Sequence, residues 1–473
     1  MTASYPVRSR TLSPAICPGI RMRAAKLSTP VIAQTCFCVL PAALCIGYGL
    51  LSLAGLWLFC GLLLFMAYGF LKNKPEQATA LMIALIPGTM LLRGMFFYSA
   101  QIVIPVAPVI FQLVAPQHGL TGVRKDKLLL GLLVVAIVYW WLSYLIIGDY
   151  SVNSRMVELT FTAANVYLLA SRRSYLASAL VGLAISTFAV AGGLLPYGDR
   201  LGTLQIAEFR MGNPVAMGLS STLVLLMIFA DQGRWLLLGQ GVLRRVLLVV
   251  PAALSLALST SRGSWLVTGL GLTLILALAR QGRRMLIGML ALCGVAVTLL
   301  LLSDRGPAIL HYFDEATSSD VSWQKRTTGR MDQWESFPAV FFDSPIWGFG
   351  PGSGKAVSLH YTKEGKTWHS LYLLVGVETG LIGLIGLMFL LGALTRRGIA
   401  HWRTRREITP LLGLVSFMTI GVSVSGIDAI SGVFLGIAFL ADRYPPIVRV
   451  REVGVLQPAS EQNPEEPVIA KSI

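Results

Sequence analysis

The sequence predicts an all-α, polytopic membrane protein with about 12–14 transmembrane helices and one long polar loop. Three observations carry that prediction. Of the 473 residues, 55% are hydrophobic and only 13% are charged, about half the charge of an ordinary soluble domain. Apolar runs of membrane-spanning length recur along almost the whole chain. Lysines and arginines stand in short clusters between those runs, where orientation signals belong.

In chain order the expected spans are 31–49, 51–71, 78–92, 95–115, 128–147, 157–171, 175–192, 213–231, 246–260, 264–279, 285–303, 369–394, 409–424 and 428–442. The short runs 78–92 and 157–171 also suit re-entrant segments, which would lower the total to about twelve. Residues 1–30 carry Arg8, Arg10, Arg21, Arg23 and Lys26 and read as a cytoplasmic tail. No A-x-A-like site precedes the first span, so a cleaved signal peptide is not expected. The chain then divides into N-terminal transmembrane helices over 31–204 and a second transmembrane region over 205–444. Within the second lies the polar loop 304–368. The tail 445–473 is polar, contains Pro and Glu, and is expected to be cytoplasmic and disordered.

Alternating the spans from a cytoplasmic N-terminus puts 27 of the 39 basic residues on the inner side. Of the remaining 12, seven fall in the 304–368 loop, and long loops count little in the positive-inside rule. Both termini are therefore expected to be cytoplasmic and the long loop periplasmic. The net charge of +16 invites a nucleic-acid reading. Its distribution argues against one, because no basic surface interleaved with aromatics is present. The six cysteines, Cys17, Cys36, Cys38, Cys45, Cys60 and Cys293, lie in the N-terminal tail or in apolar runs. They make no disulfide framework and no metal motif.

The long loop is nearly neutral, with seven basic and eight acidic residues. A helix from about 328 would put Met331, Trp334, Phe337 and Phe341 on one face, bent or ended by Pro338. The stretch SPIWGFGPGS after it reads as tight turns. Its aromatics suit a lid lying on the membrane surface.

The same topology collects cations on the outer face. They are Arg210 in the 193–212 loop, Arg262 in STSRGSW, Arg326 and Arg330 in the long loop, and His369 at the start of the next span. An arginine fork matches phosphate oxygens, and several of them at the boundary of lipid and water would suit a lipid-linked pyrophosphate. Fixed donors stabilise such a leaving group without reorganising. A histidine beside it could take a proton from an acceptor hydroxyl. Each residue also has a plainer role open to it. Arg262 could cap a hairpin or touch head groups, and Arg210 and His369 could be interfacial anchors. Arg330 could pair with Asp332 or Glu335. Glu378, inside the 369–394 run, is a functional candidate by its depth. Gly376, Gly380 and Gly383 around it equally suggest close helix packing. His118, His311, His360 and His401 are read as loop residues without a role.

In order, these motifs resemble the O-antigen ligase/polymerase superfamily. They are Ser261-Arg262-Gly263, Arg330 with Trp334, Pro345 with Gly348 and Gly350, and His369-Ser370 with Tyr372. The upstream FRMGNPVAMG is similar to the family's Arg-then-Asn-Pro-Asn segment but has Val215 at the second Asn. The resemblance covers roughly 205–395. It implies a GT-C-like glycosyltransferase of the bacterial inner membrane, working at the periplasmic face without a metal or other cofactor. Its donor would be a glycan on undecaprenyl pyrophosphate. The acceptor would be a hydroxyl of lipid A-core or of a growing polysaccharide, within an export or assembly pathway. Arg262, Arg330 and Arg210 would bind the pyrophosphate, with Arg326 a weaker candidate, and His369 would assist at the acceptor or leaving-group oxygen. The motifs do not separate a ligase from a polymerase of O-antigen, capsule or exopolysaccharide units. From another class, a transporter or flippase of lipid-linked sugars predicts inverted repeats and a buried ionisable path, and the sequence has no such repeat.

Overall fold

The computed structural model describes residues 27–72, 74–92, 105–108, 150–170, 173–194, 204–206, 209–211, 214–231, 242–278, 283–304, 306–318, 330–362, 368–424 and 429–442, with isolated positions elsewhere. The expected spans 95–115 and 128–147 lie almost entirely outside the described residues, as do both tails and Arg326.

The first bundle joins α1 (Thr29–Gly47), α2 (Leu51–Leu71), α3 (Pro75–Leu92) and α5 (Arg173–Leu194), while α4 (Tyr150–Leu169) lies beside the C-terminal helices. α1, α2 and α5 carry no charged residue beyond their first turn, as expected where one side meets lipid and the other meets protein. Leu53, Leu56 and Leu64 of α2 face outward, and Leu58, Leu62 and Met66 face the core. Small residues set the close approaches. Gly182 packs on Ala84 and Thr35, and Gly193 packs on the backbone of Ala43. The segments 78–92 and 157–169 sit in helices of 18 and 20 residues.

A short antiparallel hairpin, β1 (Leu204–Ile206) and β2 (Phe209–Met211), precedes α6 (Pro214–Asp231). Among the described residues the other regular elements are helical. There follow α7 (Val242–Ser259), α8 (Arg262–Leu278) and α9 (Arg283–Leu301). The long loop is itself helical over α10 (Gly306–Thr317), α11 (Arg330–Asp343) and α12 (Gly354–Thr362). The chain closes with α13 (Leu371–Arg405), α14 (Thr409–Ser423), α15 (Ala429–Ala438) and a 3-10 turn to Asp442. Among the described residues, α1, α2, α5 and α13 are long and apolar enough to cross a membrane, and α6, α8, α9, α14 and α15 are apolar and shorter.

Relative helix directions can be read from the contacts. Gly218 meets Ser264, Thr222 bonds Thr268, and Gly271 meets Leu226, so α6 and α8 are parallel. Tyr372 bonds Met418 and Gly398 meets Leu411, so α13 and α14 are antiparallel. These directions are those of the alternating topology. They bring the starts of α6, α8 and α13 and the end of α14 to one end of the molecule.

α13 is not the straight span expected over 369–394. Gly380 has φ 60° and ψ −151°, which breaks the helix. Leu371 to Gly380 are wholly or partly wrapped in protein, whereas Leu381, Ile382, Ile385 and Met388 lie open toward the surroundings. Ten residues of α14 separate its contacts with Leu371 and Gly398, about 15 Å at helical rise, whereas 27 residues of α13 separate them, about 40 Å if straight. The two halves therefore meet at a sharp angle.

The turn after α11 fills the break. Phe349 N–H donates to Val377 C=O at 2.8 Å and Gly350 N–H to Glu378 C=O at 3.0 Å. From the other half, Leu381 N–H donates to Pro345 C=O at 2.8 Å and Ile382 N–H to Ile346 C=O at 3.4 Å. Backbone groups freed by a helix break must be satisfied within the protein when water is excluded. The Gly- and Pro-rich turn does that. Gly348 (φ 65°) is required because a Cβ there would stand 2.5 Å from the Glu378 backbone carbon.

The helical reading of α11 holds, with Pro338 inside the helix, but its faces differ from the expectation. Gln333 and Val340 are buried, Phe337 and Phe341 flank them, and Met331 and Trp334 turn outward. The stripe centred on 333 and 340 lies about half a turn from Met331, so the four predicted aromatic and Met positions straddle its edge.

Candidate active site

The α7–α8 hairpin sets Arg262. Ser259, Thr260 and Ser261 are buried, and Thr260 adopts φ 49°, an uncommon conformation for a non-glycine residue. Hydroxyls hold it there. Ser261 N–H donates to Ser259 Oγ at 3.3 Å, and the Ser261 and Ser264 hydroxyls pair at 2.8 Å. Ser264 Oγ also donates to Val215 C=O at 3.3 Å, which ties the hairpin to the start of α6. Arg262 is thereby the first residue of α8, at a fixed height.

Its Nη2 donates to Glu315 Oε2 on α10 at 3.1 Å, with both side chains about a quarter exposed (28% and 26%). Neither the capping nor the lipid-contact role anticipated this partner. Arg330, the first residue of α11, stands close enough to feel the Arg262 charge. Burial first, and that charge second, hold Arg330 below the usual arginine value. Its Nε is buried with no hydrogen-bond partner among the described residues. The pairing with Asp332 or Glu335 considered for it is not among its contacts.

One turn along α11, the buried Gln333 reaches the start of α13. Its Oε1 accepts the His369 backbone N–H at 2.9 Å. The next residues lean on the end of α14, with Ser370 Oγ donating to Gly421 C=O at 3.1 Å and Tyr372 OH to Met418 C=O at 2.9 Å. Gly263, beside Arg262, faces Ser423 at that same end. The Arg262 hairpin and the backbone at His369 thus meet at the end of α14, and Arg330 is brought near them through Gln333 on its own helix. The buried Trp368 anchors the group from below, donating to Gly354 C=O at 2.9 Å and lying edge-on to Phe337.

Arg210 lies in β2, opposite Gln205 in the hairpin and four residues before α6. Its backbone is therefore at the same end, since Val215 touches the Arg262 hairpin. Arg326 lies outside the described residues. Glu378 accepts the Gly354 N–H at 3.3 Å and is fully buried at the helix break. His401, read as a loop residue, is buried within α13 at its far end. An apolar groove of about 670 Å³ among α1, α5 and α7, lined by Leu40, Tyr48, Phe188, Leu247 and Pro251 among others, contains none of the candidate residues.

Sequence reasoning missed Gln333 and Glu315. Gln333 sits one helical turn from Arg330 in the buried stripe of α11, a spacing that could have revealed it. Glu315 has no such signal, because its partner is 53 positions away.

The fold defines an all-α, multi-pass membrane protein with two arginines and a histidine brought together where several helices end. Residues 247–388 match the family described as O-antigen ligase, and this supports placing the chain in the O-antigen ligase superfamily. The matched range contains Arg262, Arg330, His369 and the break at Gly380. The match supports a glycan-transferring role of ligase or polymerase type. No curated protein matches the chain.

Proposed function

We propose that this protein is a periplasm-facing glycosyltransferase of the bacterial inner membrane, with both termini cytoplasmic. It transfers a glycan from an undecaprenyl-pyrophosphate donor to an acceptor hydroxyl, as in ligation of O-antigen to lipid A-core. The carrying observation is that the Arg262 hairpin and the backbone at His369 meet the same end of α14, through Gly263 on Ser423 and Ser370 on Gly421, with Arg330 one turn from the Gln333 that binds His369 and near enough to feel the Arg262 charge. Two guanidinium groups held this close repel one another, and an anion relieves that repulsion. A diphosphate supplies charge and acceptor geometry for both forks. Arg210, at the same end, is a third ligand in this reading, and Arg326 a fourth.

The chemistry follows from that placement. The arginines bind the donor diphosphate and take up the charge that develops on it as the glycosidic bond breaks. The His369 imidazole accepts the proton of the incoming hydroxyl. The break at Gly380 and the turn 344–350 hold the first ten residues of α13 against α11, so that His369 is rigidly set. Transfer needs no metal in this reading.

A strain lacking the protein tests the proposal. Ligase activity predicts lipid A-core without polymer and long chains retained on undecaprenyl pyrophosphate. Single repeat units in place of long chains would assign a polymerase of O-antigen, capsule or exopolysaccharide instead. Intact polymer on its normal acceptor in the strain would remove both.

A further inference from the structure

Glu315 belongs to none of the family-like motifs, yet its Oε2 accepts a hydrogen bond from Arg262 Nη2 at 3.1 Å. We propose that Glu315 is a displaceable internal counter-ion: it holds Arg262 in the substrate-free protein, and the donor diphosphate takes its place. The inference rests on Arg262 being a diphosphate ligand.

Three observations support it. The contact joins one carboxylate oxygen to one guanidinium nitrogen, which is the geometry a phosphate oxygen would adopt. Both side chains are about a quarter exposed, and an ion pair in that setting is weak enough to exchange. The helix that carries Glu315 is also only partly covered among the described residues. α10 contacts the end of α9, where Gly306 closes on Leu301, and Ile309 is buried whereas Leu310 and Glu315 itself are not.

Charge sets the direction of exchange. Arg330 stands close enough to Arg262 to feel its charge, and Glu315 meets Arg262 through a single carboxylate oxygen. An arriving diphosphate brings at least two negative charges. If Glu315 stayed in place it would repel the ligand across a short distance. Its withdrawal leaves the Arg262 fork open to the diphosphate, and departure of the product restores the pair. Glu315 is in this sense a positioning residue that keeps Arg262 extended toward the site between turnovers.

Binding of inorganic pyrophosphate to the purified full chain in detergent tests this, at one fixed pH and ionic strength. Removing the competing carboxylate in Glu315→Gln, and likewise in Glu315→Ala, is expected to tighten binding roughly three- to tenfold. Arg262→Ala is expected to lose binding, and adding Glu315→Gln to Arg262→Ala is expected to restore nothing. If Arg262→Ala loses binding while both Glu315 variants bind like the wild type or more weakly, the counter-ion role is wrong and the diphosphate reading stands. If Arg262→Ala binds like the wild type, or no form binds, the diphosphate reading falls and the counter-ion role with it.

Discussion

The side-chain carbonyl of Gln333 accepts the backbone N–H of His369 at 2.9 Å, so one buried amide links the helix that begins at Arg330 to the helix that begins beyond His369. The link explains how a residue of the polar loop and a residue of a membrane helix keep a fixed separation without touching. It also ties the loop to the start of α13.

Replacing Gln333 by Ala removes that acceptor and leaves a buried N–H unsatisfied, at about 1–3 kcal/mol. The imidazole would shift with its backbone, and a misplacement of about 1 Å can cost on the order of 100-fold in rate. Glycan transfer by Gln333→Ala in reconstituted membranes should therefore fall at least tenfold, beyond any loss in protein level. Gln333→Glu, which keeps an acceptor oxygen, should recover part of the rate. Equal activity of Gln333→Ala and wild type would mean that the link does not position His369.

Much of this was legible in the sequence. Apolar runs gave the helices, and alternating them gives the relative directions seen in the α6–α8 and α13–α14 contacts. Ordered motifs pointed to Arg262, Arg330 and His369, whose segments lie at one end of the helices. The sequence did not disclose the break in α13. A run of apolar residues with a Gly every few positions reads the same whether the helix is straight or bent. The difference lies in backbone hydrogen bonds from the turn 345–350, some thirty positions upstream. The pairing of Glu315 with Arg262 was hidden for the same reason, since it too depends on chain closure over a long separation.

The depressed proton affinity of Arg330 has a testable consequence. Burial and the Arg262 charge both disfavour the protonated form of whatever base occupies this position. Arginine starts so high that it stays charged at physiological pH. Lysine starts near 10.4 and would be displaced downward by the same two causes. The cation is needed for anion binding, so function is lost as pH rises through the lowered pKa. Arg330→Lys should retain part of the transfer rate near neutrality and lose it at a lower pH than the wild type does. A pH–rate profile of the variant parallel to the wild type would contradict the crowding of these two arginines.

The turn that fills the helix break tolerates no side chain at Gly348. A Cβ there would stand 2.5 Å from both the Glu378 carbon and the Thr379 nitrogen, and neither backbone atom can yield. Its φ of 65° disfavours any other residue as well. Gly348→Ala should destabilise by roughly 3 kcal/mol or more, seen as a lower midpoint of thermal unfolding in detergent and as reduced accumulation in the membrane. Gly386, in the same helix, has nothing within 4 Å of its would-be Cβ. Gly386→Ala should stay within about 1 kcal/mol of the wild type. Similar midpoints for the two variants would mean that the 344–350 turn does not brace the break.

The two histidines of α13 and its approach should behave oppositely. His369 stands at the candidate site, half-buried, with its backbone held by Gln333. His401 lies at the far end of the helix, its Nδ1 3.0 Å from Ala441 C=O and its Nε2 3.2 Å from Glu407 Oε2. Those contacts tie the last turns of α13 to the 3-10 turn at the chain's last described residues, which is a packing role. His401→Ala should cost about 1–3 kcal/mol of stability through the lost buried bonds, and each folded molecule should transfer glycan at close to the wild-type rate. His369→Ala should fold and accumulate normally and transfer nothing measurable. Rates normalised to folded protein, measured with both variants in proteoliposomes, separate the two roles. An active His369→Ala would remove the imidazole from the mechanism, and an inactive but stable His401→Ala would move part of the chemistry to the opposite end of the molecule.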